Sequence, residues 1–342
     1  MATRLTLIFI NLIICSTFKI VAQDIQFSQF YAVPVYQNPA FAGSAFMHRF
    51  TIHQRLQWMN LDARYTSTLI GWDTHFDKIR GGVGIIATHD VQSSDKIVTD
   101  DISGQYAYEI PLTEKYVLRA GIQLGLVSKA IDYSQFRYAQ DFTDQGFQGN
   151  TYNQQGSNAI YYGSIGSGLV LFSDKFWGGI AAHNMNQPKQ TFYSNTDNRL
   201  PMKISVTGGY KHVFHRSAEK ITNVERVIEY NIIPTFQYKM QGKSDQLDLG
   251  AYSQIDRILV GAWYRGIVFK KYDGIQNNES MVLLAGVKYR NISFTYSYDI
   301  TVSRLSRSRT GGSHELNLTI YLARKQKSLR HMKRLPCPDY FD

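Results

Sequence analysis

The sequence lacks any apolar run near the twenty residues that a helix needs to cross roughly 30 Å of hydrocarbon. Its longest apolar stretch, Leu5 to Ile14, is too short for that and is interrupted by Thr6 and Asn11. A helical membrane protein is therefore excluded. Cysteine is almost absent, with 2 in 342 residues. Cys15 lies in the segment assigned below to a cleaved signal peptide, and the single remaining cysteine cannot form an internal disulfide.

Sequence patterns of enzyme chemistry are also missing. His314-Glu315 has no second histidine at the spacing of a helical zinc protease, and the 9 histidines have no metal-ligand spacing. The glycines at 163, 166 and 168 resemble part of a nucleotide loop but lie within a predicted strand. The sequence predicts no catalytic residue, no cofactor and no metal site. Lysine and arginine fall mostly in loops and the tail, so their excess does not indicate nucleic-acid binding.

The first residues have the pattern of a cleavable signal peptide. Arg4 precedes the apolar run, and Ile20-Val21-Ala22 offers a small residue at the cleavage position, so cleavage is predicted after Ala22. A lipoprotein signal at Cys15 is the alternative, but the preceding Ile14 is not small. Residues 1–22 are therefore assigned to export, and the mature chain starts at residue 23.

Aromatic residues and glycine are abundant, with 23 tyrosines, 19 phenylalanines and 26 glycines. Apolar and polar residues alternate along several segments, which places them on opposite faces of a strand. In the fifth predicted strand one face carries Leu118, Ala120, Ile122, Leu124 and Leu126, and the other carries Arg119, Gly121, Gln123 and Gly125. A soluble sheet also alternates, so this pattern alone does not say which face meets lipid.

The connections between strands favour a membrane barrel. About fourteen strands are predicted, which is an ordinary number for a single outer-membrane barrel. Most connections after even strands are short, whereas those at 132–157, 186–201, 269–279 and 301–311 are long. The connection 215–226 is long for its side. Short turns at one rim and long loops at the other are typical of outer-membrane barrels, and an even strand count places both termini at the short-turn, periplasmic rim.

The predicted fold is thus all-β, a single transmembrane antiparallel β-barrel of the outer-membrane type. Four parts are expected: a signal peptide at 1–22, an N-terminal plug or periplasmic segment at 23–47, the barrel at 48–322 and a basic periplasmic tail at 323–342. Outer-membrane lipid is the expected surrounding. Cys337, in the tail, is expected to be a free thiol or to form an intermolecular bond.

The N-terminal segment is too rich in apolar and aromatic residues to be a solvated tail. It is expected to pack in or under the barrel mouth, as a structural plug or as a partner contact. Its candidate residues are Asn38, Pro39, Ala40, Phe41 and Gly43.

The two ends of the barrel carry the remaining candidates. Strand one supplies Arg49, Arg55, Gln57 and Trp58, and the last hairpin supplies Tyr298, Asp299, Gly312, His314 and Glu315. First and last strands are neighbours in a closed barrel, so we expect at least one ion pair between Arg49 or Arg55 and Asp299 or Glu315. A structural role in closing the barrel is favoured over direct ligand recognition.

At these residues the chain resembles the PorP/SprF family of type IX secretion system membrane proteins of Bacteroidota. The resemblance rests on Asn-Pro-Ala-x-Ala-Gly at 38–43, Arg-x-Gln-Trp at 55–58, Tyr-Asp at 298–299 with Gly-Gly-Ser-His-Glu at 311–315, and Cys-Pro at 337–338. It implies an outer-membrane protein that helps deliver or retain a secreted adhesin-like protein, including gliding adhesins, with other secretion components as partners. The alternatives are an outer-membrane pore for small solutes and an envelope-spanning component that binds partners through its tail.

Overall fold

The computed structural model of the chain describes residues 24–323, apart from gaps at 62, 94–95, 134–141, 144–145, 148–157, 193–197, 222–223, 273–274 and 303–309. The predicted signal peptide, Cys337 and nearly all of the basic tail lie outside the described residues. Within the described part, no helix is long and apolar enough to cross a membrane.

Fourteen antiparallel strands form one closed sheet in which every strand pairs with its neighbours in the sequence. The last strand pairs with the first and closes the barrel. The strands are β1 His48–Gln57, β2 Tyr65–Phe76, β3 Gly81–Gln92, β4 Ile97–Pro111, β5 Val117–Ile131, β6 Ala159–Phe172, β7 Phe176–His183, β8 Lys203–Tyr210 continued by His212–Ile221, β9 Val224–Gln241, β10 Ser244–Ile255, β11 Ile258–Tyr272, β12 Ile275–Tyr289, β13 Ile292–Thr301 and β14 Ser313–Leu322. The predicted barrel and its strand number are confirmed.

The remaining described elements are short. A four-residue helix, α1, spans Pro34–Gln37. Two 3-10 turns span Pro39–Phe41 and Asp77–Ile79. A ladder of two residues a side joins Phe142–Thr143 to Gly146–Phe147 within the β5–β6 connection.

The two faces of the barrel wall have opposite polarity. In β5 the outward Ile122 is 55% exposed and Leu126 is 70% exposed, whereas the inward Arg119 is fully buried. The same order holds in β13, where Phe294 faces outward and Ser293 and Thr295 are buried. A soluble sandwich would bury its apolar face, so the apolar exterior and polar interior are those of a membrane barrel.

Two connections differ from the sequence prediction. Residues 215–226 were predicted to be a long connection, but β8 continues to Ile221 and β9 begins at Val224. Likewise, 269–279 is mostly strand, because β11 ends at Tyr272 and β12 begins at Ile275. Strand ends beyond the hydrocarbon need no apolar face, so the alternation that identifies a strand disappears there while the backbone ladder continues.

The N-terminal segment, residues 24–47, runs through the barrel interior. Its first described residue, Asp24, contacts Lys203 and Gln241 at the rim of the long connections, which we name the long-loop rim. Phe46 contacts His75 near the opposite, short-turn rim, where β1 begins and β14 ends. The prediction that both termini lie at the short-turn rim is therefore wrong for the start of the segment. An even number of strands fixes only where β1 begins and β14 ends, and it does not fix the path of the chain before β1.

Candidate functional site inside the barrel

The barrel wall is shaped to admit the N-terminal segment. A Cβ atom added to Gly121 would lie 2.3 Å from the backbone nitrogen of Ala40, and one added to Gly82 would lie 2.1 Å from the carbonyl oxygen of Ala42. A Cβ at Gly168 would lie 2.0 Å from the side-chain oxygen of Asn38. Glycine is therefore required at these three inward positions for the segment to lie this close to the wall.

Asn38 fixes the turn of the segment against the wall. Its side-chain oxygen accepts a hydrogen bond from the Ala40 N–H at 2.9 Å. Its side-chain nitrogen donates to the carbonyl oxygens of Leu169 and Ile180, both at 3.1 Å. Pro39 begins the 3-10 turn, where a fixed φ and a missing N–H are well tolerated.

Aromatic side chains pack around this turn and around the part of the segment that precedes it. Phe41 meets Trp177 edge to face at 5.9 Å between ring centroids. Three and four strands further along the wall, in β10 and β11, Tyr252 and Trp263 lie 5.1 Å and 6.2 Å from Tyr31. Such pairs add to the free energy gained from burial, so the segment is held by packing along much of its length.

A buried group of charged side chains lies in the long-loop half of the lumen. The Arg55 guanidinium pairs with Glu315 and lies 3.1 Å from Asp299. Arg265 contacts Asp299 at 3.1 Å and Asp248 at 2.8 Å. We name this group the closing cluster: Arg55, Asp248, Arg265, Asp299 and Glu315, each at most 3% exposed. The predicted ion pair at the seam is present, and it belongs to a larger network.

The closing cluster also holds the backbone of the N-terminal segment. The Glu315 carboxylate accepts hydrogen bonds from the Ser28 N–H at 2.6 Å and the Gln29 N–H at 2.8 Å. The Ser28 hydroxyl donates to Asp299 and accepts from Arg55 and Arg265. Hydrogen bonds to ionised groups are stronger than neutral ones, so Glu315 ties the segment to the seam.

A second carboxylate acts in the same way near the short-turn rim. Asp73 accepts from Arg49 Nε at 2.8 Å and from the Gly43 N–H at 2.7 Å. The sequence offered Arg49 as the alternative to Arg55 for the ion pair with Asp299 or Glu315. The register of β1 instead places Arg49 opposite Asp73 in β2 and Tyr321 in β14. Gly43 has a positive φ of 69°, a conformation that glycine adopts without strain.

The other predicted residues lie at the long-loop rim or on the outer wall. Gln57 accepts from Arg55 Nε at 3.0 Å. The Trp58 N–H donates to the carbonyl oxygen of Gly312 at 2.9 Å. His314 and Tyr298 form a ring contact of 4.8 Å, on the opposite face of their strands from Glu315 and Asp299. They are therefore not part of the closing cluster.

Several contact residues were not among the candidates from the sequence. Arg119 donates from Nε to the Ala40 carbonyl oxygen at 2.9 Å and pairs with Glu109 at 3.0 Å. The alternation already placed Arg119 on the inward face of its strand. A charged residue on that face could have been predicted to contact whatever fills the lumen. Tyr36 donates to the Ile25 carbonyl oxygen at 2.8 Å, and burial, followed by the charge of Asp24, raises the pKa of its phenol.

Fold and interior together define a membrane β-barrel whose lumen is occupied by its own N-terminal segment. Residues 20–320 match the model of the family described as type IX secretion system membrane protein PorP/SprF. The chain belongs to this family, which confirms the resemblance seen in the sequence.

The structure is also similar to solved barrels of low sequence identity. The toluene transporter TbuX of Ralstonia pickettii is 12% identical, with 85% of this chain and 92% of that chain covered and a TM-score of 0.42. Omp33 of Acinetobacter baumannii is 8% identical, with 81% and 100% covered and a TM-score of 0.40. These scores are too low to indicate a function. No curated protein sequence matches the chain significantly.

Proposed function

We propose that the chain is an outer-membrane component of the type IX secretion and gliding system that binds a secreted adhesin-like protein and helps deliver or anchor it at the cell surface. The observation that carries this proposal is the occupied lumen in a chain of this family. A barrel whose interior holds its own segment is suited to docking a protein rather than to passing solutes.

The burial of the segment supports this reading. Phe27, Ser28 and Gln29 are completely buried at one end of its path, and Ala40 and Ala42 are completely buried at the other. Buried polar groups are bonded to wall residues at both ends. A solute pore, the alternative from the sequence, would need this segment to move aside.

The orientation belongs to the same proposal. We place the short-turn rim on the periplasmic side, where other secretion components would meet the basic tail, and the long-loop rim at the cell surface, where cargo would dock. We expect the signal peptide to be removed after Ala22. We also expect the protein to have no enzymatic activity.

Deletion of the gene tests the proposal. The surface-exposed and supernatant proteins of the deletion strain are compared with those of the parent and of a strain complemented with the full-length gene. We expect one large adhesin-like protein to leave the surface fraction and to return on complementation. An unchanged set of surface and supernatant proteins would contradict the proposal.

A further inference from the structure

A polar cavity lies between the N-terminal segment and the wall at the long-loop end of the lumen. Its volume is ≈ 80 Å³, which holds a few waters or the end of one side chain. Gln92, Thr99 and Lys203 line it, and all three lie within a few residues of the long-loop ends of their strands. The cavity is therefore placed to receive a ligand from that rim.

The charges that line the cavity do not balance. Its walls hold the carboxylates of Asp24, Asp90 and Asp101 and the ammonium groups of Lys129 and Lys203. One pair is made within the site, since Lys203 Nζ lies 3.2 Å from Asp24. One negative charge remains in excess.

Asp90 and Asp101 carry this excess. Asp90 accepts from Ser67 and, at 2.7 Å, from Gln92, and Asp101 accepts from Ser103 at 2.7 Å. Among the residues that the structure describes, no lysine, arginine or histidine nitrogen lies within 4.0 Å of either carboxylate. Asp101 is only partly buried, so its carboxylate can be reached from the cavity.

His183 independently indicates a ligand. The residue is 6% exposed and lines the cavity. Neither of its ring nitrogens has a hydrogen-bond partner within the described part of the chain. A buried imidazole without partners loses the free energy of its hydrogen bonds, and a peptide group offers the donor and acceptor that a neutral imidazole needs.

We propose that an extended polypeptide segment docks at the long-loop mouth of this cavity, inserts the end of one basic side chain between Asp90 and Asp101, and meets His183 with its backbone. The site has carboxylates for a guanidinium or ammonium group and an imidazole for a peptide group. This inference rests on the proposed function, because it names the place where cargo polypeptide would dock.

Binding of a defined peptide to the purified full-length protein in detergent tests the inference. The probe is a fluorescently labelled glycine-serine peptide with one central arginine, and its matched control has citrulline at that position. We expect the arginine peptide to bind at least about tenfold more tightly, the usual worth of a charge-assisted hydrogen bond. Equal binding of the two peptides would overturn the inference.

Substitutions locate the binding to the cavity. Asp101→Asn is expected to weaken binding of the arginine peptide about tenfold. Lys129→Gln is expected to strengthen it, because a competing cation is removed. Asp100→Asn is the matched control, since Asp100 is the adjacent residue on the outer face of β4 and is paired with His89 at 2.6 Å. If Asp100→Asn and Asp101→Asn have equal effects, or Lys129→Gln weakens binding, the assigned site is wrong.

Complementation of the deletion strain separates this inference from the proposed function. Cells that carry Asp101→Asn are expected to release the surface protein that cells carrying Asp100→Asn retain. Retention by both variants, in a strain whose deletion releases the protein, would refute the cavity and leave the proposed function intact. If deletion releases nothing, the proposed function fails, and the peptide measurement alone decides whether the cavity binds a basic segment.

Discussion

Arg55 and Glu315 stand directly opposite each other where the first and last strands meet, and their side chains form an ion pair inside the lumen. The same carboxylate accepts the backbone N–H groups of Ser28 and Gln29. One side chain therefore takes part both in closing the barrel and in holding the N-terminal segment.

Glu315→Gln should destabilise the barrel and loosen the segment at once. The substitution replaces the carboxylate that pairs with Arg55 by a neutral amide and leaves Arg55 with Asp299 as its remaining carboxylate partner, so we expect a cost of about 1.5 to 3 kcal/mol, the worth of a hydrogen bond to a charged group. We expect the denaturant midpoint in detergent to fall and the amide hydrogens of Ser28 and Gln29 to exchange faster.

The control for this measurement is Glu114→Gln in the exposed turn between β4 and β5. It removes the same charge and should change stability by less than about 0.5 kcal/mol. Equal stability of the two variants would show that the charge of Glu315 contributes nothing to the stability of the fold.

A larger side chain at Gly121 should displace the segment and open the lumen. The Cβ of Gly121→Val would meet the backbone of Ala40 at 2.3 Å, far inside van der Waals contact. We expect wild-type protein in planar bilayers to have little steady conductance and the variant to have frequent large openings. Gly104→Val in the neighbouring strand is the control, because a Cβ there meets nothing within 4 Å. A large steady conductance of the wild type would instead favour the solute pore.

The barrel could be predicted because lipid on one side and a polar lumen on the other impose a period of two on every strand. Leu118 to Leu126 show this period clearly, and the structure exposes their apolar face. The same reasoning fails at 215–226 and 269–279. There the strands continue as backbone ladders, and the sequence keeps no alternation of apolar and polar residues.

The closing cluster was predicted only in part, for a reason of topology. Arg55 and Glu315 could be paired because a closed barrel makes its end strands neighbours. Arg265 and Asp248 lie three and four strands from the seam. Arg265 joins the cluster through Asp299 and Ser28, and Asp248 joins it through Arg265. The N-terminal segment brings Ser28 to the cluster, and the alternation within strands cannot predict the path of a segment that is not a strand. The Arg49–Asp73 pair needed the register of β1 against β2, which alternation alone does not fix.

Arg119→Met should loosen residues 40–46 of the segment, near the short-turn rim, without disturbing the contacts of Ser28 and Gln29 at the seam. The guanidinium donates to the carbonyl oxygens of Ala40 and Ala42, and methionine fills similar space without a donor. We expect faster hydrogen exchange at residues 40–46, with Ser28 and Gln29 unchanged. Lys115→Met in the exposed β4–β5 turn serves as the control. Unchanged hydrogen exchange at residues 40–46 in Arg119→Met would mean that Arg119 does not hold this part of the segment.

The depth of the apolar belt can be measured with one arginine moved along the outer wall. Ile122 lies at the centre of the outward apolar residues of β5 and is 55% exposed, so Ile122→Arg should cost about 2 to 4 kcal/mol of folding free energy in a bilayer. Tyr161 of β6 is 80% exposed and lies beside Ser128, one outward position beyond the last leucine of the belt. Tyr161→Arg should therefore cost only about 0 to 1 kcal/mol. Reversible unfolding from phosphatidylcholine vesicles gives both values. Equal costs at the two positions would place water rather than lipid against this wall, and would contradict the membrane assignment of β5 and β6.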